Sequence, residues 1–226
     1  MAADFGDYSS LPVEEAVRAA RASSRRRQVL DAAVKVMGRN GFHQMSMQDL
    51  AAEARVSVGL IYKYFGGKED LLLATIVRIL DVFRDQLAPV IEAAGDDVVD
   101  QLVAGIRRYI QIVDENLDGV VLTYRESRTL AAPGRTQIKE LEIATTAPLR
   151  AVIEAGIGRR VFRDVDADLT VLDIVLLAHG WALKHWHFGP AYTVDEYIGL
   201  QTRHVLNALI LDTRRADYTH VLELKP

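Results

Sequence analysis

The sequence predicts an all-α protein in which a three-helix N-terminal unit is linked by a long helix to a larger C-terminal helical bundle. Apolar residues recur at helical spacing along most of the chain, and no stretch alternates as a surface strand would. Short connections rich in Gly, Pro and Asp separate the helices. The predicted division is a mobile arm at 1–23, a first unit at 24–70, a second at 71–213 and a tail at 214–226.

The first unit contains three predicted helices with clear ends. The first follows the cluster Arg25-Arg26-Arg27 and ends near Gly41, a residue that tolerates the positive φ found after many helices. Ser46 and Ser57 are expected to cap the next two helices, because a serine hydroxyl accepts a hydrogen bond from the first backbone amides. Gly66-Gly67 ends the third helix. Two short capped helices joined by a three- or four-residue connection form a helix-turn-helix.

The rest of the chain is predicted as long helices. The linking helix begins at Lys68 and is expected to end at Pro89, because proline lacks the backbone donor that a helix needs. Pro148 predicts either a kink or two shorter helices for the same reason. The other helices are expected at 97–115, 117–131, 134–157, 166–188 and 194–212.

Charge is distributed unevenly along the chain. Residues 18–68 hold 10 basic and 3 acidic side chains, a net charge of about +7, whereas 69–226 hold 17 and 24, about −7. The overall charge is −4. A basic segment on an acidic body favours a phosphate-binding unit on a carrier that does not itself bind DNA, although an ordinary basic surface helix has the same charge.

The composition excludes several classes of protein. The chain has no cysteine, which excludes a disulfide framework, zinc fingers and Fe–S clusters. No apolar run approaches the roughly 18 residues of a membrane helix, and the N-terminus does not resemble a signal peptide. We therefore expect a cytoplasmic protein without membrane contact.

No catalytic, cofactor or metal motif is found. The G-x-S-x-G and H-E-x-x-H patterns are absent, and Gly156-x-Gly158 lacks the third glycine of a dinucleotide loop. His179, His185 and His187 do not share one helical face, so we expect no metal site. A cofactor-free helical enzyme that uses carboxylates such as Glu126 or Glu142 is a remote alternative.

Residues 25–75 combine several specific motifs. An apolar first helix ends in N-G-F, S-x-x-D-L-A-x-E-A follows from Ser46, and V-S-x-G-x-I-Y-x-Y-F-x-x-K-E-x-L follows from Val56. Together they resemble the TetR family of bacterial regulators. The resemblance implies a helix-turn-helix domain that binds palindromic operator DNA, followed by a domain that senses a small apolar effector and forms a homodimer. The implied mechanism is that of a repressor released by its effector.

The third helix is the expected recognition helix. A helix that enters the major groove must be narrow at its N-terminal end, and Gly59 there costs about 1 kcal/mol relative to Ala, which contact with DNA would explain. A frayed turn is the alternative explanation. Tyr62, Lys63 and Tyr64 lie at DNA-contacting positions of the family, although Tyr64 can equally belong half to the core.

The other DNA candidates lie at helix N-termini and in the arginine cluster. Ser46 and Lys68 each place a side-chain donor at a helix N-terminus, which suits a phosphate oxygen. The arginines are expected to form an arm, with a solvated charge run as the alternative. The full set is Arg25, Arg26, Arg27, Ser46, Met47, Ser57, Val58, Gly59, Leu60, Tyr62, Lys63, Tyr64 and Lys68.

Polar groups within apolar helices indicate the effector site, since a buried polar atom costs about 1–3 kcal/mol unless it is paired. The candidates are Arg107, Arg108, Tyr124, Arg125, Arg128, Trp181, His185 and Trp186. V-L-T-Y-R-E-S-x-x-L and H-W-H-F-G-P look like the TetR branch that answers to acyl-CoA thioesters in fatty-acid and steroid breakdown. In that branch the acyl chain would enter an apolar tunnel, arginines such as Arg135 would meet the nucleotide phosphates, and one of the two tryptophans would stack on adenine.

Two alternatives remain for the second unit. Either tryptophan can instead belong to the core or to a dimer interface. The effector can also be a lipophilic compound without CoA, as for regulators of efflux or stress genes. The apolar helices 166–188 and 194–212 must be covered, and in the family such helices pair across a two-fold axis.

Overall fold

The computed structural model describes residues 12–223, and these are helical with no strand beyond one isolated bridge between Phe162 and Ile210. The first eleven residues of the predicted arm and the last three of the predicted tail lie outside the described residues. The described chain packs as two units. The first holds the residues up to Asp81 together with Val121–Lys139, and the second holds Val82–Val120 with the residues from Glu140 onward.

The first unit is larger than the predicted 24–70. Val121–Lys139 belongs to it because Leu130 and Ile138 are buried there and the backbone at Gly134 approaches the side chain of Leu73. These contacts join segments far apart in sequence, which no local pattern could indicate.

The first unit contains α1 Val13–Asn40, α2 Met47–Ala54, α3 Val58–Phe65 and the first part of α4, which spans Lys68–Ala93. Residues 13–23 of the predicted arm belong to α1, which begins at Val13. Glu14 and Glu15 in the first turn complement the helix dipole, and the alanine-rich sequence that follows has high helix propensity.

The predicted helix ends of the helix-turn-helix are confirmed. The Ser46 hydroxyl accepts from the Asp49 amide at 3.0 Å, and the Asp49 carboxylate accepts from the Ser46 amide at 3.3 Å. These two hydrogen bonds form a capping box and lower the pKa of Asp49. The Ser57 hydroxyl accepts from the Leu60 amide at 3.2 Å, and Gly66 ends α3 at a φ of +65°.

The prediction that α4 ends at Pro89 is wrong, because the helix continues through it to Ala93. Leu87 and Ile91 on either side of Pro89 are buried. Each buried side chain contributes about 1.5–3 kcal/mol, which together offset the roughly 3 kcal/mol that an internal proline costs. Pro148 likewise lies inside a single helix, so the alternative of two shorter helices is wrong.

Four of the remaining helices lie near their predicted positions: α5 Val98–Glu115, α6 Leu117–Glu126, α7 Ala132–Gly158 and α10 Val194–Leu209. The predicted helix 166–188 is divided into α8 Ala167–Leu183 and α9 His185–Phe188, and α11 Thr219–Leu222 was not predicted. Short 3-10 helices at Ser127–Thr129 and Asp212–Tyr218 replace the predicted ends of α6 and α10. In the second unit α5 packs against α8 and α10. None of the helices in residues 12–223 is long and apolar enough to cross a membrane.

The predicted tail is ordered up to Glu223 and folds back onto the second unit. The Tyr218 hydroxyl donates to the Asp97 carboxylate at 3.0 Å, and Tyr218 and Val221 are buried. Burial is the main reason that the pKa of Tyr218 is raised. The sequence did not predict that the tail packs on the second unit, because the tail has too few apolar residues to show a helical period.

Gly156→Ala should destabilise the second unit, because a Cβ atom there would lie 2.0 Å from the buried ring of Phe162. We expect a loss of about 1–3 kcal/mol, typical of an overpacked core, measured by urea unfolding followed by circular dichroism. The control is Gly158→Ala, where no atom lies within 4 Å of the added Cβ. Equal effects of the two substitutions would contradict the packing of Phe162 against α7.

Candidate nucleic-acid interface and effector site

α3 has one buried and one exposed face. Ile61 and Phe65 are 0 % and 5 % exposed, whereas Tyr62 is 49 % exposed and Lys63 is also exposed. The predicted outward position of Tyr62 and Lys63 is therefore confirmed. Three further candidates are half-buried: Val58, Leu60 and Tyr64.

The N-terminal end of α3 is as narrow as the sequence suggested. Ser57 and Gly59 are exposed, and no described atom lies within 4 Å of a Cβ added at Gly59. No packing contact among the described residues therefore requires a glycine at this position. The expectation that Gly59 allows close approach of DNA therefore stays a prediction.

Arg26 of the arginine cluster contacts the end of α3. Its guanidinium lies 5.3 Å from the centre of the Phe65 ring, a cation–π distance. Arg25 donates a long hydrogen bond of 3.4 Å to the Gln28 side chain, and Arg25 and Arg27 are exposed. The cluster therefore belongs to the folded helix α1 and lies beside the recognition helix.

Two of the predicted DNA-binding residues make contacts within the protein. Met47 is 8 % exposed, so its side chain packs in the core and only its main chain remains a candidate for DNA. The Lys68 ammonium donates to the His43 carbonyl at 2.8 Å and lies 4.9 Å from the Phe42 ring centre. Lys68 thus also joins the loop before α2 to the start of α4. Its ammonium group has two further N–H donors, which remain for other acceptors.

Sequence reasoning missed two positioning residues. His43 supplies the carbonyl that Lys68 binds, and Gln28 donates from its side chain to the Ala54 carbonyl at 2.8 Å, which ties α1 to the end of α2. Both contacts join segments that are 25 or 26 residues apart, so no short motif could have shown them.

The candidate Trp181 is a core residue. It is 2 % exposed, and its indole N–H donates to the Asp114 carboxylate at 2.7 Å. Its ring lies 5.0 Å from that of His185 and 4.9 Å from that of Tyr197. This packing does not support adenine stacking by Trp181 and agrees with the alternative that assigned it to the core.

The other candidates in the second unit differ in their surroundings. Arg107 pairs with Asp195 at 3.0 Å, and the guanidinium of Arg108 binds the side chains of Gln86 and Glu115. Both arginines are therefore already bound to protein groups. The side chain of the candidate Trp186 is 75 % exposed.

The candidates Tyr124, Arg125 and Arg128 belong to the first unit, and all three are exposed. Because α6 ends at Glu126, Arg128 lies in a 3-10 turn and does not follow Tyr124 by one α-helical turn, as the sequence suggested. Arg135 donates to the Leu130 carbonyl at 2.5 Å.

A polar pair of the buried Tyr109 and the half-buried His179 joins α5 and α8 in the second unit. The Tyr109 hydroxyl lies 3.2 Å from His179 Nε2, and the ring of Phe83 packs edge-on to His179. Burial lowers the pKa of His179 to about 4, so the ring is neutral at pH 7. In residues 12–223 no group of three or more His, Asp or Glu side chains is arranged to hold a metal ion.

Comparison with known proteins defines the class. Residues 29–75 match the family described as bacterial regulatory proteins, tetR family, and residues 95–187 match the tetracyclin repressor-like C-terminal domain. The HTH-type transcriptional regulator HbdR of Aromatoleum sp. (strain CIB) is 36 % identical over 174 residues, which are 77 % of this chain and 76 % of HbdR. The chain is therefore a helix-turn-helix transcriptional regulator. It belongs to the TetR family of bacterial regulatory proteins.

Solved structures share the fold. FadR from Bacillus subtilis in complex with stearoyl-CoA has a TM-score of 0.70 and 21 % identity, and the match covers 80 % of this chain and 98 % of FadR. AibR in complex with isovaleryl coenzyme A and operator DNA has a TM-score of 0.68 and 22 % identity, covering 79 % and 96 %.

Tyr62→Ala should weaken and broaden DNA binding, because it removes a large exposed side chain from the recognition helix. We expect about 5- to 150-fold weaker binding to a duplex selected from a random library, with a smaller loss on scrambled DNA. Fluorescence anisotropy measures both affinities. The matched control is Tyr192→Ala, which removes a 40 % exposed tyrosine from the second unit. Equal effects would contradict the assignment of α3.

The lowered pKa of His179 should make the free energy of unfolding depend on pH. Its folded pKa of about 4 lies below the usual 6.5, so the unfolded chain takes up a proton first as the pH falls. Stability from the neutral ring is therefore present above pH 6.5 and lost towards pH 4. Between pH 7 and 5 we expect a loss of about 2 kcal/mol in the free energy of unfolding.

The variant His179→Gln keeps a polar side chain but cannot titrate in this range. Urea unfolding at a series of pH values should show a shallower dependence for this variant than for the unchanged protein. Identical slopes would contradict the lowered pKa of His179.

Proposed function

We propose that this regulator is a homodimeric, cytoplasmic repressor that binds a palindromic operator and is released by an acyl-CoA thioester. The observation that carries the effector class is that two proteins of the same fold, FadR and AibR, are known in complex with CoA thioesters. AibR was captured together with operator DNA as well. Exposed apolar side chains, exposed arginines and the long helix α4 of this chain support the proposal.

An exposed apolar face supports the dimer. Leu169, Leu172, Leu176 and Leu183 lie on one side of α8 and are 36 % to 57 % exposed. Burial contributes about 25 cal/mol for each Å² of apolar surface. Covering these leucines with another apolar surface is therefore favourable. A second copy supplies that surface through a two-fold axis, and a dimer then meets two operator half-sites about 34 Å apart or a multiple of it.

Two buried polar atoms of the second unit are unpaired. Among the described residues, His185 Nδ1 and Thr202 Oγ1 are buried without a hydrogen-bond partner. Such atoms cost about 1–3 kcal/mol each. The apolar tunnel for the acyl chain and a role of His185 in effector binding remain predictions.

The phosphates of CoA require cations. Arg125 and Arg128 are exposed, whereas Arg107 and Arg108 already bind Asp195 and Glu115. We therefore assign the nucleotide phosphates first to Arg125 and Arg128. Charge-assisted hydrogen bonds from these two guanidinium groups to the phosphates would replace their contacts with solvent.

The helix α4 is the proposed route of communication. It begins at Lys68, which is tied to the loop before α2, and it continues into the second unit, where Phe83 and Leu87 are buried. A displacement of α4 by the effector would change the spacing of the two recognition helices. A coupling of about 1–3 kcal/mol would weaken operator affinity roughly 5- to 150-fold.

The proposal is tested by anisotropy of the protein on its selected duplex during titration with long-chain, branched short-chain and steroid-derived acyl-CoAs. Stoichiometric release by one class is the expected result. Release by an acid or alcohol but not by its CoA ester would contradict the thioester and support the lipophilic alternative.

Arg125→Ala/Arg128→Ala should raise the thioester concentration that gives half-release about 10- to 100-fold, because charge-assisted bonds to phosphate are removed. DNA affinity without effector should stay unchanged. The control Arg150→Ala removes an exposed arginine that pairs with Glu154 and Asp168. If both proteins respond alike, the phosphate assignment is wrong.

A further inference from the structure

The N-terminal part of α1 extends beyond the core of the first unit. Buried residues of α1 begin at Val29, whereas the helix begins at Val13. At 1.5 Å per residue, the segment before Val29 is about 24 Å long. The side chains of this segment are mostly exposed, including Val13 at 80 %. It is therefore a folded helix presented to a partner or to solvent.

One face of this segment is basic. Arg18 and Arg25 lie seven residues apart and so share a face, and Arg21 lies between them at spacings of three and four. Val29 and Val36 continue the same row further along the helix, and both are buried. The face of α1 that is buried from Val29 onward therefore carries exposed arginines in the segment before Val29.

The direction of the segment is fixed by contacts within the first unit. Gln28 donates to the Ala54 carbonyl, and Asp31 pairs with Arg78 of α4 at 2.6 Å. Arg26 lies over Phe65, the last residue of α3. Arg26, the neighbour of Arg25, therefore contacts the end of α3, and the basic row leads away from this point along the same helix.

We propose that Arg18, Arg21 and Arg25 form a second DNA contact, on the sugar-phosphate backbone outside the base pairs reached by α3. Arg18 and Arg25 are about 10 Å apart along the helix axis, close to three base-pair steps of about 3.4 Å. The row can therefore follow successive phosphates. Its charge suits the backbone of any sequence, so it adds affinity and footprint length without adding specificity.

The test uses two duplexes and the full chain. One duplex carries the selected site with about ten extra base pairs on each side, and the other is trimmed to the site. Arg18→Ala/Arg21→Ala should weaken binding to the longer duplex roughly fivefold for each arginine that no longer binds a phosphate, in about 0.15 M salt. The slope of log affinity against log salt should fall by about one for each of these arginines. On the trimmed duplex this variant should match the unchanged protein.

The matched control is Lys139→Ala/Lys184→Ala, which removes the same charge from two exposed lysines. If the control and Arg18→Ala/Arg21→Ala bind the longer duplex equally, the weaker binding reflects net charge and the second contact is overturned. If the unchanged protein binds neither duplex, the proposed DNA contact of α3 is contradicted together with the second contact. Equal affinity of the unchanged protein for the longer and the trimmed duplex overturns only the second contact.

A second variant tests the helical presentation. Ala20→Pro keeps every arginine but interrupts α1 within the exposed segment. Hydroxyl-radical footprints of the unchanged protein should extend beyond the trimmed site, and this extension should shrink with Ala20→Pro. An unchanged footprint would overturn the helical contact, and thermal melting of both proteins checks that the core remains folded.

Discussion

The eight-residue helix α3 cannot be stable by itself, and the first unit is organised around holding it. Isolated helices shorter than about 12–15 residues are marginal in water. α3 is held at its start by the Ser57 cap, at its end by Gly66, and across its length by the burial of Ile61 and Phe65. The same helix keeps Tyr62 exposed. Burial of one face therefore determines which residues can reach DNA.

The sequence predicted the parts of the fold that depend on local chemistry. The caps at Ser46 and Ser57 and the end at Gly66 follow from hydroxyl acceptors and a positive φ, and the structure confirms them. Pro89 shows the limit of such reasoning. Proline ends most helices, but here the burial of Leu87 and Ile91 outweighs the local preference, and burial of that kind cannot be known before the fold.

For the candidate sites, too, local features were predictable from the sequence and long-range contacts were not. Outward positions on α3 were predictable because a short amphipathic helix has one obvious buried face. The effector candidates were less predictable, since an indole in an apolar helix suits a ligand and a core equally. Trp181 proved to be core only because Asp114, 67 residues away, accepts its N–H. Arg108 could not be assigned from sequence either, because its partner Gln86 lies 22 residues away on α4.

The central claim is that effector and operator bind in opposition through the protein, and a titration tests it most directly. Isothermal titration of the releasing acyl-CoA into the protein, with and without saturating operator duplex, gives two effector affinities. Linkage requires operator to weaken effector binding by the same factor by which effector weakens operator binding, about 5- to 150-fold. Equal effector affinities with and without operator would contradict the coupling.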